Sequence, residues 1–308
     1  MTFYCNTDKA RSEIIRSAFM KAIPDLPFIA VGEACDAKEV RYLFTWKAIP
    51  HLRAAYPRLE VLFSLGAGVE QFSFDDIPAG AKLVRMIEPG ITATMQEYVT
   101  MATLAVHRDL PRYVAHKSHA KWITYPIRPT SEICVGIMGL GELGQASLRA
   151  LAPFGFRLAG WSRSARTIAG VNCFYGRDEL DRFLAQTDIL VCLLPLTNET
   201  HGILSENLLG KLRPGASLIH VGRGQHLDQS ALIKLLDSGH LQSAFLDVVH
   251  PEPLPPDDPI WKDPRIILTP HIASATRADT AAVMLIENIR RHQAGRPMIG
   301  EVKPDRGY

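Results

Sequence analysis

The fold class that this 308-residue chain predicts is α/β, with two doubly wound domains each built on a parallel sheet. Three observations carry that expectation. Short apolar runs of the kind that form buried strands alternate with helical patterns along nearly the whole chain. One run, Ile133 to Met138, leads into Gly139-Leu140-Gly141-Glu142-Leu143-Gly144 and then into a helical stretch with Leu143, Leu148 and Leu151 apolar. A G-x-G-x-x-G gains its meaning from this strand–turn–helix context. The length exceeds one ordinary core and suits two.

The first region opens with a strand at Thr2–Tyr4, and a helix follows from Arg11 to Lys21, with Ile14, Ile15, Ala18 and Phe19 at helical spacing. Val40 to Thr45, Leu59 to Ser64 and Lys82 to Arg85 read as further strands. Thr92 to Arg108 is a long helical pattern, and a second helical segment begins at Pro111; together they bridge to the second domain. Trp122 to Pro129 is a Pro-containing loop into the Ile133 strand. From there the rhythm is regular. Strands are expected at Leu158 to Trp161, Ile189 to Leu194, Ser217 to Val221, Ala244 to Val248 and Ile266 to Leu268. Helices are expected at Leu180 to Ala185, Leu208 to Leu212 and Ala231 to Leu236, and Thr276 to Ala294 is a closing helix that packs back on the first domain. The expected partition is residues 1–99 plus 276–308 as a discontinuous domain and 100–275 as the nucleotide-binding one.

Composition narrows the function. Hydrophobic residues make up 47% and charged ones 21%, which is globular rather than disordered. A net charge of +2, with scattered basic residues, argues against a nucleic-acid partner. No apolar run approaches a membrane span, and the start of the chain lacks the apolar core of a signal peptide. The five cysteines form no C-x-x-C pair, so reduced thiols and a cytoplasmic location are expected. His220, His226 and His250 lie near one another in sequence without metal-ligand spacing, and no metal is expected.

In the glycine motif, Gly139 makes the tight turn, Gly141 admits a pyrophosphate to the main chain, and Gly144 lets helix and strand approach. The phosphates then meet the N–H groups of the helix N-terminus. An NAD site usually carries an acid ~20 residues later, on the ribose hydroxyls. Here the strand ends at Trp161 and is followed by Ser162-Arg163-Ser164-Ala165-Arg166. A planar guanidinium binds a 2′-phosphate through paired charge-assisted bonds, whereas an acid would repel it. At an effective dielectric near 20, two unit charges ~4 Å apart interact by roughly 4 kcal/mol before desolvation, and about 1.4 kcal/mol already sets a tenfold preference. The expected cofactor is therefore NADP(H) in preference to NAD(H).

Arg223, Glu252 and His271 follow strand ends on the side where such sheets bind ligands. The segments that carry them, VGRG, DVVHPEP and TPHIAS, together with the glycine motif and LLPLTNET, resemble the D-2-hydroxyacid dehydrogenase family over nearly the whole chain. TWKAIP, SLGAGVE, PLPPDDPIW and the ending RGY are most similar to its glyoxylate/hydroxypyruvate reductase branch. The resemblance implies Rossmann-like and flavodoxin-like domains with a cleft between them. It implies that Arg223 binds the carboxylate and carbonyl of a 2-oxo acid, that His271 is the general acid, and that Glu252 orients the imidazole and raises its pKa. Leu194, Pro195, Leu196, Val221, Gly222 and Asp247 would join the glycine motif, Ser162, Arg163, Ser164 and Arg166 on the cofactor. The N–H groups of Gly66, Ala67, Gly68 and Val69 would grip the substrate carboxylate as a nest, with Trp46 closing over it.

The implied reaction is NADPH-dependent reduction of glyoxylate to glycolate and of hydroxypyruvate to D-glycerate. A bulkier 2-oxo acid, or nucleotide sensing without turnover, stays open. Much of the family has Asn where His220 stands and Ala or Ser where Gly222 stands. A homodimer through the helices between Thr92 and Ala120 is also implied.

Overall fold

The computed structural model describes residues 1–303; the closing Arg306-Gly307-Tyr308 lies outside the described residues. The chain divides into one unit formed by Met1–Ile91 with residues 275–303 and another formed by Thr92–Ser274.

In the first unit the elements run β1 (Thr2–Asn6), α1 (Lys9–Ala22), β2 (Phe28–Ala30), β3 (Val40–Thr45), α2 (Leu52–Ala55), β4 (Val61–Ser64) and β5 (Lys82–Val84). The five strands are parallel in the order β2-β1-β3-β4-β5, the flavodoxin-like order. Asp8 starts α1 by accepting the Arg11 N–H at 2.9 Å. Phe3 and Phe19 join strand and helix, with ring centroids 4.5 Å apart. β3 and β4 are buried on both faces, which is why they read as continuous apolar runs.

α3 (Pro89–His107) begins in this unit and continues into the second, followed by α4 (Leu110–Ser118). The second unit then contains β6 (Cys134–Met138), α5 (Glu142–Leu151), β7 (Arg157–Ser162), β8 (Asn172–Tyr175), α6 (Leu180–Leu184), β9 (Ile189–Cys192), α7 (Glu206–Leu209), β10 (Ala216–His220), α8 (Gln229–Asp237), β11 (Leu241–Leu246) and β12 (Ile266–Leu268). Its seven parallel strands lie in the order β12-β11-β10-β9-β6-β7-β8, a Rossmann-like arrangement. α9 (Ala278–Gln293) returns the chain to the first unit and packs on α1.

The register places one row of residues across the carboxyl edge of this sheet: Phe174, Trp161, Met138, Cys192, His220, Leu246 and Leu268. Every candidate site residue of this unit follows that row. The expected strands at Ile189 to Leu194, Ser217 to Val221 and Ala244 to Val248 end earlier than the apolar pattern suggests. Leu194, Val221 and Val248 leave the ladder yet stay buried, lining the loops. The apolar pattern predicts neither β2 nor β8. Both are edge strands: β2 is apolar but only three residues long, Phe28–Ala30, and none of them is fully buried, while β8 buries only Phe174 among four residues.

Candidate active site

The phosphate-binding turn is built from three glycines with separable tasks. Gly139 has φ +107°, a left-handed conformation that glycine adopts without strain, and a Cβ there would lie 2.6 Å from the Leu193 carbonyl oxygen. A Cβ on Gly144 would lie 1.9 Å from the Gly139 oxygen, so α5 approaches the turn as closely as a main chain allows. At Gly141 a Cβ would meet nothing within 4 Å. That open position is the N-cap of α5, and no side chain caps the helix. The turn therefore offers room and main-chain N–H donors together, which fits a dinucleotide pyrophosphate. Leu140 turns inward over Gly160 of β7 and contributes only its main chain to the surface.

At the end of β7, the Ser162 hydroxyl donates to the Ser164 carbonyl at 2.8 Å. Arg163 and Arg166 are exposed, and Arg163 lies 3.4 Å from Glu199, which is also exposed. An ion pair this open to water is worth about 0–1 kcal/mol.

After β12 the chain turns sharply, and His271 is held there at φ 55°, a conformation rare outside glycine. Asp247 holds the turn. Its main-chain oxygen accepts the His271 N–H at 2.8 Å, and its buried carboxylate accepts from the Thr269 hydroxyl at 2.7 Å and from the Ile272 and Ala273 N–H groups at 2.8 Å each. The Tyr98 hydroxyl on α3 lies 2.6 Å from Thr269 Oγ1. His271 Nδ1 meets Glu252 Oε2 at 2.9 Å, and Glu252 Oε1 accepts the Val249 N–H at 3.2 Å. Burial pushes the Glu252 carboxyl up. The hydrogen bond and charge of His271, the Val249 N–H and the Arg223 charge together outweigh it, leaving the group below its ordinary range.

Arg223 follows β10 across Val221 and Gly222. Its N–H donates to His226 Nδ1 at 3.0 Å, its carbonyl accepts from a ring nitrogen of His220 at 2.9 Å, and its Nη1 donates to the Gly222 carbonyl at 2.8 Å. A Cβ on Gly222 would lie 2.8 Å from His226 Nδ1. His226 Nε2 reaches the Pro195 carbonyl, 3.2 Å away, in the Leu194-Pro195-Leu196 loop after β9. The same region brings Cys192, His220 and His226 together, buried, with ligand-type atoms within 4.8 Å of one another. Here the structure differs from the histidine grouping read in sequence, because His250 is exposed and Cys192 stands in its place.

In the first unit, Trp46 follows β3 and the Gly66–Val69 loop follows β4. A Cβ on Gly66 would lie 2.6 Å from the Trp46 ring, so the indole packs on this loop. The Gly66 N–H points to Ser64 Oγ at 3.3 Å, and Ser64 Oγ donates to the Gly68 carbonyl at 2.8 Å. The Val69 side chain is buried in the core.

Residues 100–273 match the model of the D-isomer specific 2-hydroxyacid dehydrogenase NAD binding domain. This chain belongs to that family. The dehydrogenase is 37% identical to glyoxylate/hydroxypyruvate reductase A of Salmonella newport over 298 residues, 95% of each chain. Among solved structures, it is similar to a D-isomer specific 2-hydroxyacid dehydrogenase from Xanthobacter autotrophicus Py2 in complex with NADPH and MES, with a TM-score of 0.93, 37% identity and coverage of 100% and 99%. It also matches the NADPH-dependent glyoxylate/hydroxypyruvate reductase from Sinorhizobium meliloti in complex with NADP and sulfate, with a TM-score of 0.92, 34% identity and full coverage of both chains. The enzyme is an NAD(P)-dependent 2-hydroxyacid dehydrogenase or 2-oxo acid reductase, and the turn at Gly139–Gly144 suits its cofactor. No helix among its described residues is long and apolar enough to cross a membrane.

Sequence reasoning did not find Thr269, Tyr98, Glu199 or the contacts of His226 with Arg223. Only Thr269 had a local signal, since it lies two residues before His271 in a strand-end motif. Tyr98 and Glu199 are brought in from distant segments, and the His226 contact, though only three residues from Arg223, depends on the tight turn after β10.

Proposed function

We propose that this dehydrogenase reduces short 2-oxo acids with NADPH, taking glyoxylate to glycolate and hydroxypyruvate to D-glycerate. The observation that carries the reading is the 2.9 Å bond between His271 Nδ1 and Glu252, on a turn that Asp247 holds in a left-handed conformation. Strain kept by that many hydrogen bonds marks a positioned group. The names of the Salmonella and Sinorhizobium relatives support the substrate class.

When bound, NADPH supplies the hydride for the carbonyl carbon. The Arg223 guanidinium pairs with the substrate carboxylate and carbonyl oxygen and fixes which face is presented. Glu252 accepts the Nδ1–H of His271, which sets the ring orientation and leaves proton transfer to Nε2. Nε2 gives its proton to the oxygen as the alcohol forms, and the Glu252 carboxylate offsets the charge of the doubly protonated ring beforehand. In the opposite direction Nε2 accepts the proton. In the first unit, the Gly66–Val69 loop with Trp46 over it is the substrate-carboxylate element.

The missing acid after β7, with Ser162, Arg163 and Arg166 in its place, supports NADPH over NADH. A 2′-phosphate needs only to displace Glu199 from an exposed pair. Exposed Met101, Leu110, Val114 and Trp122 on and beside α3 and α4 support pairing with a second copy, which sedimentation velocity tests.

The test of function is kcat/KM for a panel of 2-oxo acids with each nucleotide, followed by NADPH absorbance. Glyoxylate and hydroxypyruvate with NADPH should rank highest. A higher value for phenylpyruvate-like acids would overturn the substrate assignment. Tight NADPH binding without turnover on any of them would overturn catalysis.

A further inference from the structure

Two buried histidines, His220 at the end of β10 and His226 six positions on, both turn toward one residue. Hydrogen-bond partners fix their tautomers. The Arg223 main-chain nitrogen is a donor, so His226 Nδ1 must accept. Its Nε2 then carries the proton and donates to the Pro195 carbonyl. The Arg223 carbonyl is an acceptor, so His220 Nε2 carries the proton there. Both nitrogens of His226 are thus committed. Of the four ring nitrogens beside Cys192, only His220 Nδ1 lacks a hydrogen-bond partner among the described residues. Three ligand lone pairs are therefore not available together, and the trio is poorly suited to a metal.

We propose that His220 and His226 are positioning residues that clamp the two main-chain groups of Arg223, so that its guanidinium is presented to the 2-oxo acid at a fixed register. This rests on the reading of Arg223 as the substrate-binding arginine. A side chain with four rotatable bonds is only as well placed as its backbone. The residue lies just past the last ladder position of β10, where the sheet no longer holds the chain. The imidazoles take over from the ladder, one on the N–H and one on the C=O. Gly222 is part of the device, because a Cβ there would meet His226 Nδ1 at 2.8 Å and push the ring off the Arg223 N–H. His226 also links the arginine to the cofactor loop through Pro195. Burial keeps the His220 imidazole neutral around neutral pH.

The test compares full-length His220→Leu, His226→Leu, Gly222→Ala and Arg223→Ala, with His220→Gln and His226→Asn as conservative variants. Gln keeps a donor near the Nε2 position, and Asn keeps an acceptor near Nδ1. Expected for the Leu variants and Gly222→Ala is a rise in KM for glyoxylate of about tenfold, the loss of one oriented hydrogen bond, with the NADPH Kd of His220→Leu within about twofold of wild type. His220→Gln and His226→Asn should recover most of it, which keeps the test sound should a Leu variant not fold. In an Arg223→Ala background, adding His220→Leu or His220→Gln should change kcat/KM no further, because its effect passes through the arginine.

Equal fold-losses in both backgrounds would overturn the clamp and mean a merely structural role. Wild-type KM in every histidine variant would overturn it too, leaving the Arg223 reading intact if Arg223→Ala is impaired. A wild-type Arg223→Ala would instead bring down the substrate assignment and the clamp together. One zinc bound per chain by metal analysis would also refute it, since a coordinated His226 cannot keep both of its bonds.

Discussion

His220 should make this protein lose about 2 kcal/mol of stability between about pH 7.5 and pH 5. Burial is the main reason, reinforced by the nearby His226 and Arg223 charges and opposed by the bond to the Arg223 main chain; together they push the imidazole from 6.5 down to about 3. The unfolded chain protonates this ring near pH 6.5 while the folded protein keeps it neutral. The unfolded state therefore binds the extra proton, and stability falls as pH falls from about 6.5 towards 3, levelling off below that. At about 1.36 kcal/mol for each tenfold step in proton binding, pH 5 lies one and a half steps below the unfolded value, which gives about 2 kcal/mol; the full span gives about 5. The assay is urea unfolding of wild type and His220→Gln at both pH values. Other titrating groups cancel in the difference between the two proteins, so the advantage of wild type over the variant should shrink by about 2 kcal/mol at the lower pH. An advantage that stays constant within about 0.5 kcal/mol would refute the reasoning, because it would mean that the folded protein protonates His220 as readily as the unfolded chain does.

His271→Ala should lower kcat by about a hundred- to ten-thousandfold while the NADPH Kd, read by fluorescence titration, stays near wild type. Arg163→Asp should raise the KM for NADPH by about tenfold or more, and the ratio of kcat/KM values for the two nucleotides checks it. Gly144→Ala places a Cβ 1.9 Å from the Gly139 carbonyl oxygen, so it should destabilise by about 1–3 kcal/mol and weaken nucleotide binding together, seen in a melting curve with and without NADPH.

The doubly wound architecture was legible because strands buried on both faces write themselves as apolar runs and the glycine motif dictates the turn and helix after one of them. The strand ends were not, since Leu194, Val221 and Val248 are apolar for reasons of loop packing after the ladder has stopped. The edges β2 and β8 were missed for other reasons, β2 because its apolar run is only three residues long and β8 because it buries only Phe174. In the candidate site, Arg223, Glu252 and His271 were readable as strand-end polar groups in motif context. Their supports were not. The family resemblance points Asp247 toward the cofactor, yet its carboxylate accepts from Thr269, Ile272 and Ala273, contacts set by the β11–β12 register. The pairing of Arg163 with Glu199 joins positions 36 apart, and nothing local announces it.

Arg223, Glu252 and His271 all come from Thr92–Ser274, whereas Trp46 and the Gly66–Val69 loop come from Met1–Ile91. On the proposed assignment, proton delivery and part of the substrate recognition are written into separate stretches of the gene. Exchange of the early segment among relatives can vary what is accepted while the acid and its partner are inherited unchanged. A chimera that carries a relative's first ninety or so residues should differ in substrate ranking and keep its nucleotide preference.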